Sequence, residues 1–239
     1  MVETIRLGDI AIAVERKSVK HVHLSVHPPR GRVTLVAPNG TRLEVVRAYA
    51  ATRLGWIRKQ QAGLRGQARE TRRQYVERES HYLWGRRYLL SVIHKDARPA
   101  VALGHRRITL AVRPNSTIAS RERVMQEWHR SLLRDALPPL IARWEVKLDV
   151  KVDSYFLQRM KTKWGSCNPR NCTIRINTEL VKKPKDLLEY IVVHEMLHLI
   201  EPSHSEYFTK LLTTHYPSWR EARAELNELP VGAEAWKSG

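Results

Sequence analysis

The chain has no run approaching 18 apolar residues, so no segment is expected to cross a membrane as a helix. Its start, Met1-Val2-Glu3-Thr4-Ile5-Arg6, lacks a basic flank ahead of a long apolar stretch. No secretory signal is read there, and a cytoplasmic location is expected. Cysteine is nearly absent: Cys167 and Cys172 are the only two, which excludes a disulfide framework and reads as reduced thiols on a hairpin. A zinc site on that pair would need two further ligands nearby, and none is evident. No internal repeat or low-complexity stretch shows up. Acid is also scarce, with 24 Asp and Glu against 42 Lys and Arg, a net charge of +18 over 239 residues.

That imbalance is uneven. Residues 1–100 hold 20 Lys and Arg against 8 Asp and Glu, densest from Arg53 to Arg98, where Arg65, Arg69, Arg72 and Arg73 cluster. A fixed positive field attracts polyanions and releases their counterions, so nucleic acid is an expected partner of region 53–98. Tyr75, Tyr82, Trp84 and Tyr88 could stack bases there. A solvated arginine face, with the aromatics turned to a core, accounts for the same residues equally well.

Alternation marks strands at His21–His27 and Arg32–Ala37, with Pro28-Pro29-Arg30-Gly31 as the loop between them. His21, His23 and His27 share one strand face, and their alternation with Val22, Leu24 and Val26 points that face to solvent. Thr41 is placed as the cap of a helix running through Leu43, Val46, Tyr49, Ala50 and Leu54 to about Ala62. Short strands follow near 82–94, 98–103 and 107–112. Pro114 marks the expected boundary between domains 1–113 and 114–239. Beyond it, Val124, Trp128, Leu132, Leu133 and Leu137 set a helix that should end at Pro138-Pro139. Residues 146–177 alternate again and fold back around Asn168-Pro169-Arg170-Asn171.

Residues 194–204 carry the chemistry: His-Glu-Met-Leu-His-Leu-Ile-Glu-Pro-Ser-His. Histidines four apart on a helix stand one turn above each other, close enough to share a metal ion. A third histidine, His204, follows six residues after His198. Three neutral nitrogen ligands with an open fourth position are the pattern of a catalytic rather than a structural zinc site. Glu195 points about 100° away from His194, toward where a metal-bound water would sit. A helix over 184–200 is expected, opened by Pro184 and broken by Pro202. Ser203 and Glu206 then read as a capping box that starts the next helix. Glu221, farther downstream, is a rival third ligand.

The run Arg159-Met-Lys-Thr-Lys-Trp-Gly-Ser-Cys167, a short strand, and then His-Glu-x-x-His with histidine six residues on resemble the YgjP-like family of zinc metallopeptidases, relatives of the SprT-like proteases. Tyr82-Leu-Trp-Gly-Arg-Arg-Tyr88 and Gly55-Trp56-Ile57 are similar to that family's N-terminal half. Metzincins carry glycine where this chain has Glu201, so it is not assigned to them. The resemblance implies zinc on His194, His198 and His204, with Glu195 as general base. It also implies an α+β fold, a small basic β-rich N-terminal module followed by a minimal zincin-like catalytic domain of helices and a small sheet. The expected reaction is hydrolysis of peptide bonds in a protein or peptide substrate. An edge strand ahead of the zinc helix would line the cleft and pair with extended substrate, leaving Trp164 and Ser166 nearest to it. Two other functions fit the same residues: hydrolysis of a different amide or ester, and nucleic-acid binding with a structural or vestigial zinc.

Overall fold

The computed structural model describes residues 2–27, 31–66, 73–160 and 163–228. The chain divides into two compact units, Met1–Ala68 and Arg69–Gly239.

In the first unit β1 (Val2–Leu7), β2 (Ile10–Lys17), β3 (His23–His27) and β4 (Arg32–Pro38) form a sheet ordered β1-β2-β4-β3. β2 and β4 run parallel, and the two outer pairs are antiparallel. Alternation puts Ile10, Ile12, Val14, Val33, Leu35 and Ala37 on one face. Helices α1 (Leu43–Thr52) and α2 (Leu54–Gly66) cover that face with Val46, Ala50 and Ile57. The single helix expected over 41–62 is thus two, broken at Arg53, and Gly55 lowers helix propensity just beyond the break. Thr41 does not cap α1; its hydroxyl donates to the Pro38 carbonyl at 2.9 Å. His21 and His23 are exposed as expected, and His27 is half-buried against the Thr34 hydroxyl.

The second unit opens with β5 (Ser80–Leu83), β6 (Arg86–His94), β7 (Ala100–Leu103) and β8 (Arg107–Val112). Their order is β5-β6-β8-β7, again with a parallel central pair and antiparallel outer pairs. The two four-stranded sheets therefore share one topology. The repeat hidden in the sequence surfaces only at the fourth strand, where Arg32-Val-Thr-Leu and Arg107-Ile-Thr-Leu both lead to Pro-Asn. Elsewhere a strand needs only one apolar face, so different residues serve the same pairing.

The 31-residue helix α3 (Ile118–Leu148) follows and runs straight through Pro138 and Pro139, where the sequence suggested a stop. An interior proline costs about 3 kcal/mol. Beyond the pair, Ile141, Trp144 and Leu148 are buried, each contributing about 1.5–3 kcal/mol, and the Trp144 Nε1–H donates to Glu189 at 2.9 Å. The far half outweighs the breakers. Met125, in the near half, packs on β6 and β8, while Leu133 onward lies in the main core. Because α3 serves both clusters, the β5–β8 sheet belongs with the C-terminal half. The boundary expected at Pro114 falls inside the second unit.

A three-stranded sheet, ordered β10-β11-β9, follows from β9 (Ser154–Gln158), β10 (Gly165–Asn168) and β11 (Thr173–Asn177). The turn over Pro169–Asn171 closes the expected hairpin. Helix α4 (Lys185–Leu197) is the centre of the unit, with nine of its 13 residues buried. Helices α5 (Glu206–His215) and α6 (Trp219–Glu228) pack against it. The Trp84–Gly85 turn docks just ahead of α4, with Trp84 N–H donating to the Val181 carbonyl at 2.8 Å. Gly85 has φ +76°, and a Cβ there would lie 2.9 Å from Pro184 Cγ, so the turn takes glycine on both counts. Among the described residues no helix is long and apolar enough to cross a membrane.

Candidate metal centre

Helix α4 ends at Leu197, earlier than expected, so His194 stands in its last turn and His198 is its C-cap. The chain turns through Glu201 and Pro202 and brings His204 back beside them. Ligand nitrogens of His194, His198 and His204 all lie within 4.8 Å of one another. His194 Nε2 is 3.1 Å from His204 Nε2. His198 Nδ1–H donates to the Glu201 carbonyl at 3.0 Å. A carbonyl can only accept, so Nε2 of the neutral ring carries a bare lone pair, as a metal ligand must. His194 Nδ1 is buried without a hydrogen-bond partner among the described residues. Burial, helped by the neighbouring His198, His204 and Arg223, pushes His194 down to about 3, and burial also lowers His198. Imidazole nitrogens of all three residues converging on one point, with His194 and His198 held neutral, fit a divalent metal.

The turn differs from the capping box read in the sequence. Ser205, not Ser203, caps α5, accepting from the Phe208 N–H at 3.2 Å. Ser203 instead donates its N–H and hydroxyl to the Glu201 carboxylate, at 2.9 and 2.6 Å. This cap orients Phe208 as an apolar floor for all three histidines. Its ring centroid lies 4.5 Å from His198, nearly parallel to it, and 5.0 Å from both His194 and His204. Phe208 went unnoticed in the sequence, although it stands four residues beyond His204.

Glu195 is buried, and burial pushes its carboxyl up to about 8, with Lys163 the one cation opposing the rise. The carboxyl lies directly against β10. A Cβ at Gly165 would be 2.5 Å from Glu195 Oε1 and 2.8 Å from Cδ, so only glycine fits there. β10 is an edge strand. Asn177 N–H donates to the Trp164 carbonyl at 2.9 Å, and Ser166 faces Arg175 in the register. Hydrogen-bonded pairs alternate in an antiparallel ladder, so Gly165 and Cys167 turn their backbone groups to the open edge. Trp164, just ahead of β10, and Ser166, on it, therefore turn their backbone groups to β11 rather than to the open edge. The Trp164 ring packs on the main core with the Lys183 ammonium 5.8 Å from its centroid.

Buried Asn177, also missed in the sequence, pins the segment leading into β10. Its Nδ2 donates to the carbonyls of Met160 and Lys163 at 2.9 and 2.8 Å, and its Oδ1 accepts from the N–H groups of Met160 and Glu179. Every hydrogen-bonding position of the amide is occupied. Glu221 sits in the first turn of α6, outside the histidine cluster.

Among solved structures, the chain is similar to the metallopeptidase zymogen abylysin of Pyrococcus abyssi, with 17% identity over 37% of this chain and 89% of that one, at a TM-score of 0.35. It is likewise similar to the metallopeptidase zymogen jannalysin of Methanocaldococcus jannaschii, with 21% identity over 37% and 90% of the two chains, at a TM-score of 0.33. No curated protein matches it. The family described as "YgjP-like, metallopeptidase domain" matches over residues 20–229, from the third strand through the last helix. With so much of its length matched, histidine cluster included, the chain belongs to the YgjP-like metallopeptidase family.

Proposed function

We propose that the protein hydrolyses peptide bonds, with zinc on His194, His198 and His204 and Glu195 as general base. The observation that carries this reading is the placement of the Glu195 carboxyl. It lies directly against Gly165 in an open edge strand and follows His194 in sequence on α4. When bound, zinc supplies Lewis-acid polarisation and makes water nucleophilic near neutral pH. The chain supplies the rest. An extended peptide adds alongside β10, its backbone bonding the free N–H and C=O groups of Gly165 and Cys167. That pairing carries the scissile bond past Glu195, with Trp164 and Ser166 flanking the bound segment. Glu195 takes a proton from the attacking water and delivers it to the leaving amine. Phe208 excludes solvent behind the histidines.

Metal analysis tests the ligand set. The purified protein is expected to carry about one zinc per chain, and His198→Ala to lose most of it, because two imidazoles hold the ion far more weakly than three. Glu221→Ala should keep its zinc. Full occupancy in His204→Ala would overturn the third-ligand assignment.

A further inference from the structure

The second unit contains a second polar cleft that the metal centre does not use. Its enclosed space is about 30 Å³, and its lining includes Arg73, Tyr75, Glu122, His129, Arg159 and Lys182. Its two carboxylates are already engaged. Arg159 lies 3.3 Å from Glu122 and 3.4 Å from Glu179, Gln126 donates to Glu122 at 2.8 Å, and Lys182 reaches Glu179 at 2.6 Å. Arg73, half-buried, pairs with no carboxylate among the described residues. The lining thus carries three cations against two carboxylates.

His129 is the second observation. It is 8% exposed, and its buried Nε2 has no hydrogen-bond partner among the described residues. Burial pushes it down to about 3, so the ring is neutral and can present Nε2–H as a donor. Burial also pushes the Tyr75 hydroxyl up to about 12, which keeps it protonated and able to donate. Tyr75 is held at φ 55° by the Glu79 carboxylate on its own N–H and by Arg121 on its carbonyl. A left-handed non-glycine residue is strained, and an unpaired buried polar atom also costs stability. Packing alone does not need either, since apolar side chains fill such a space at no greater cost.

We propose that this cleft is a binding site for a small carboxylate, its oxygens taken by the Arg73 guanidinium, His129 Nε2–H and the Tyr75 hydroxyl. The planar guanidinium fork of Arg73 matches the two oxygens of a carboxylate. Glu122 and Glu179 in the same wall repel a phosphate dianion. The inference does not depend on the peptidase reading, because none of these residues touches the histidine cluster.

Acetate and inorganic phosphate serve as probes for calorimetry and thermal unfolding of the full-length protein. A four-atom ligand binds no tighter than tens of micromolar, so a saturable rise in Tm over millimolar acetate is expected. It should persist in His198→Ala, which separates the cleft from the metal. Arg73→Gln and His129→Leu should each weaken it about tenfold, as loss of one charge-assisted or buried hydrogen bond does. His129→Leu fills the same volume without the orphan nitrogen, so it tests the site even if Arg73→Gln disturbs the fold. Absence of saturable acetate binding would mean that the cleft holds only water and would overturn the proposal. Tighter binding of phosphate than of acetate, or undiminished acetate binding in both variants, would overturn it as well.

Discussion

His129 shows how one side chain ties stability to pH. An unfolded histidine titrates near 6.5, while burial pushes this one to about 3. Above 6.5 neither state is protonated and the fold loses nothing. Below 6.5 the unfolded chain takes up a proton that the native state refuses, so stability falls with pH until about 3. The slope is at most about 1.4 kcal/mol per pH unit for one group. Urea unfolding between pH 6 and 4 should therefore show a shallower loss in His129→Leu than in the parent, by about one proton's slope. Identical slopes would show that the ring is protonated in the fold. Residues of this kind were not legible in the sequence. His194, His198 and His204 were, because a helix repeat and a proline-forced turn set their spacing. Asn177 and His129 act through groups brought from distant segments, and no local pattern announces such contacts. Phe208 stands close in sequence, but only the turn holding His204 brings its ring against all three histidines.

Among the elements, β10 matters most for the chemistry. Its Gly165 leaves room for the Glu195 carboxyl, and among the described residues no strand pairs with its outer edge. Gly165→Ala should keep the metal while lowering the rate of peptide cleavage about a hundredfold, since it displaces the proton acceptor rather than a ligand. Ser166→Ala, whose side chain leaves that contact alone, should fall less than tenfold. Equal effects of the two changes would contradict the assigned contact. Alternation and turn residues foretold the β10–β11 hairpin, β3 and β4 of the first sheet and β7 and β8 of the second, whereas β1 and β2 went unread and β5 ran together with β6. Helix limits were less legible. Pro138 and Pro139 argue for a stop that burial of Ile141, Trp144 and Leu148 overrides. Ser203 and Ser205 are equally good caps on paper, and only the turn holding His204 selects the second.

Over the whole molecule, charge is the property without an assigned role. The first unit presents Arg53, Arg58 and Lys59 on an exposed surface with Trp56, 43% exposed, among them. Arg73 is described, but the Arg65 side chain and residues Arg69 and Arg72 lie outside the described residues. If the exposed set meets a polyanion, duplex DNA should bind with affinity that falls steeply with salt. Changing Arg53, Arg58 and Lys59 to glutamine should flatten the log–log slope by about 0.9 per lost phosphate contact. A flat salt dependence in the parent would leave this surface a solvated one. The shared topology of the two four-stranded sheets escaped the sequence because pairing constrains which residues are apolar far more than which they are.

The most direct test of the peptidase reading is the rate at which Glu195→Gln cleaves an unfolded protein substrate, measured at equal zinc content with the parent. The substitution keeps size and packing but removes the proton acceptor, so it should retain about one zinc per chain and lose at least about two orders of magnitude in rate. Cleavage by this variant as fast as by the parent would contradict the mechanism.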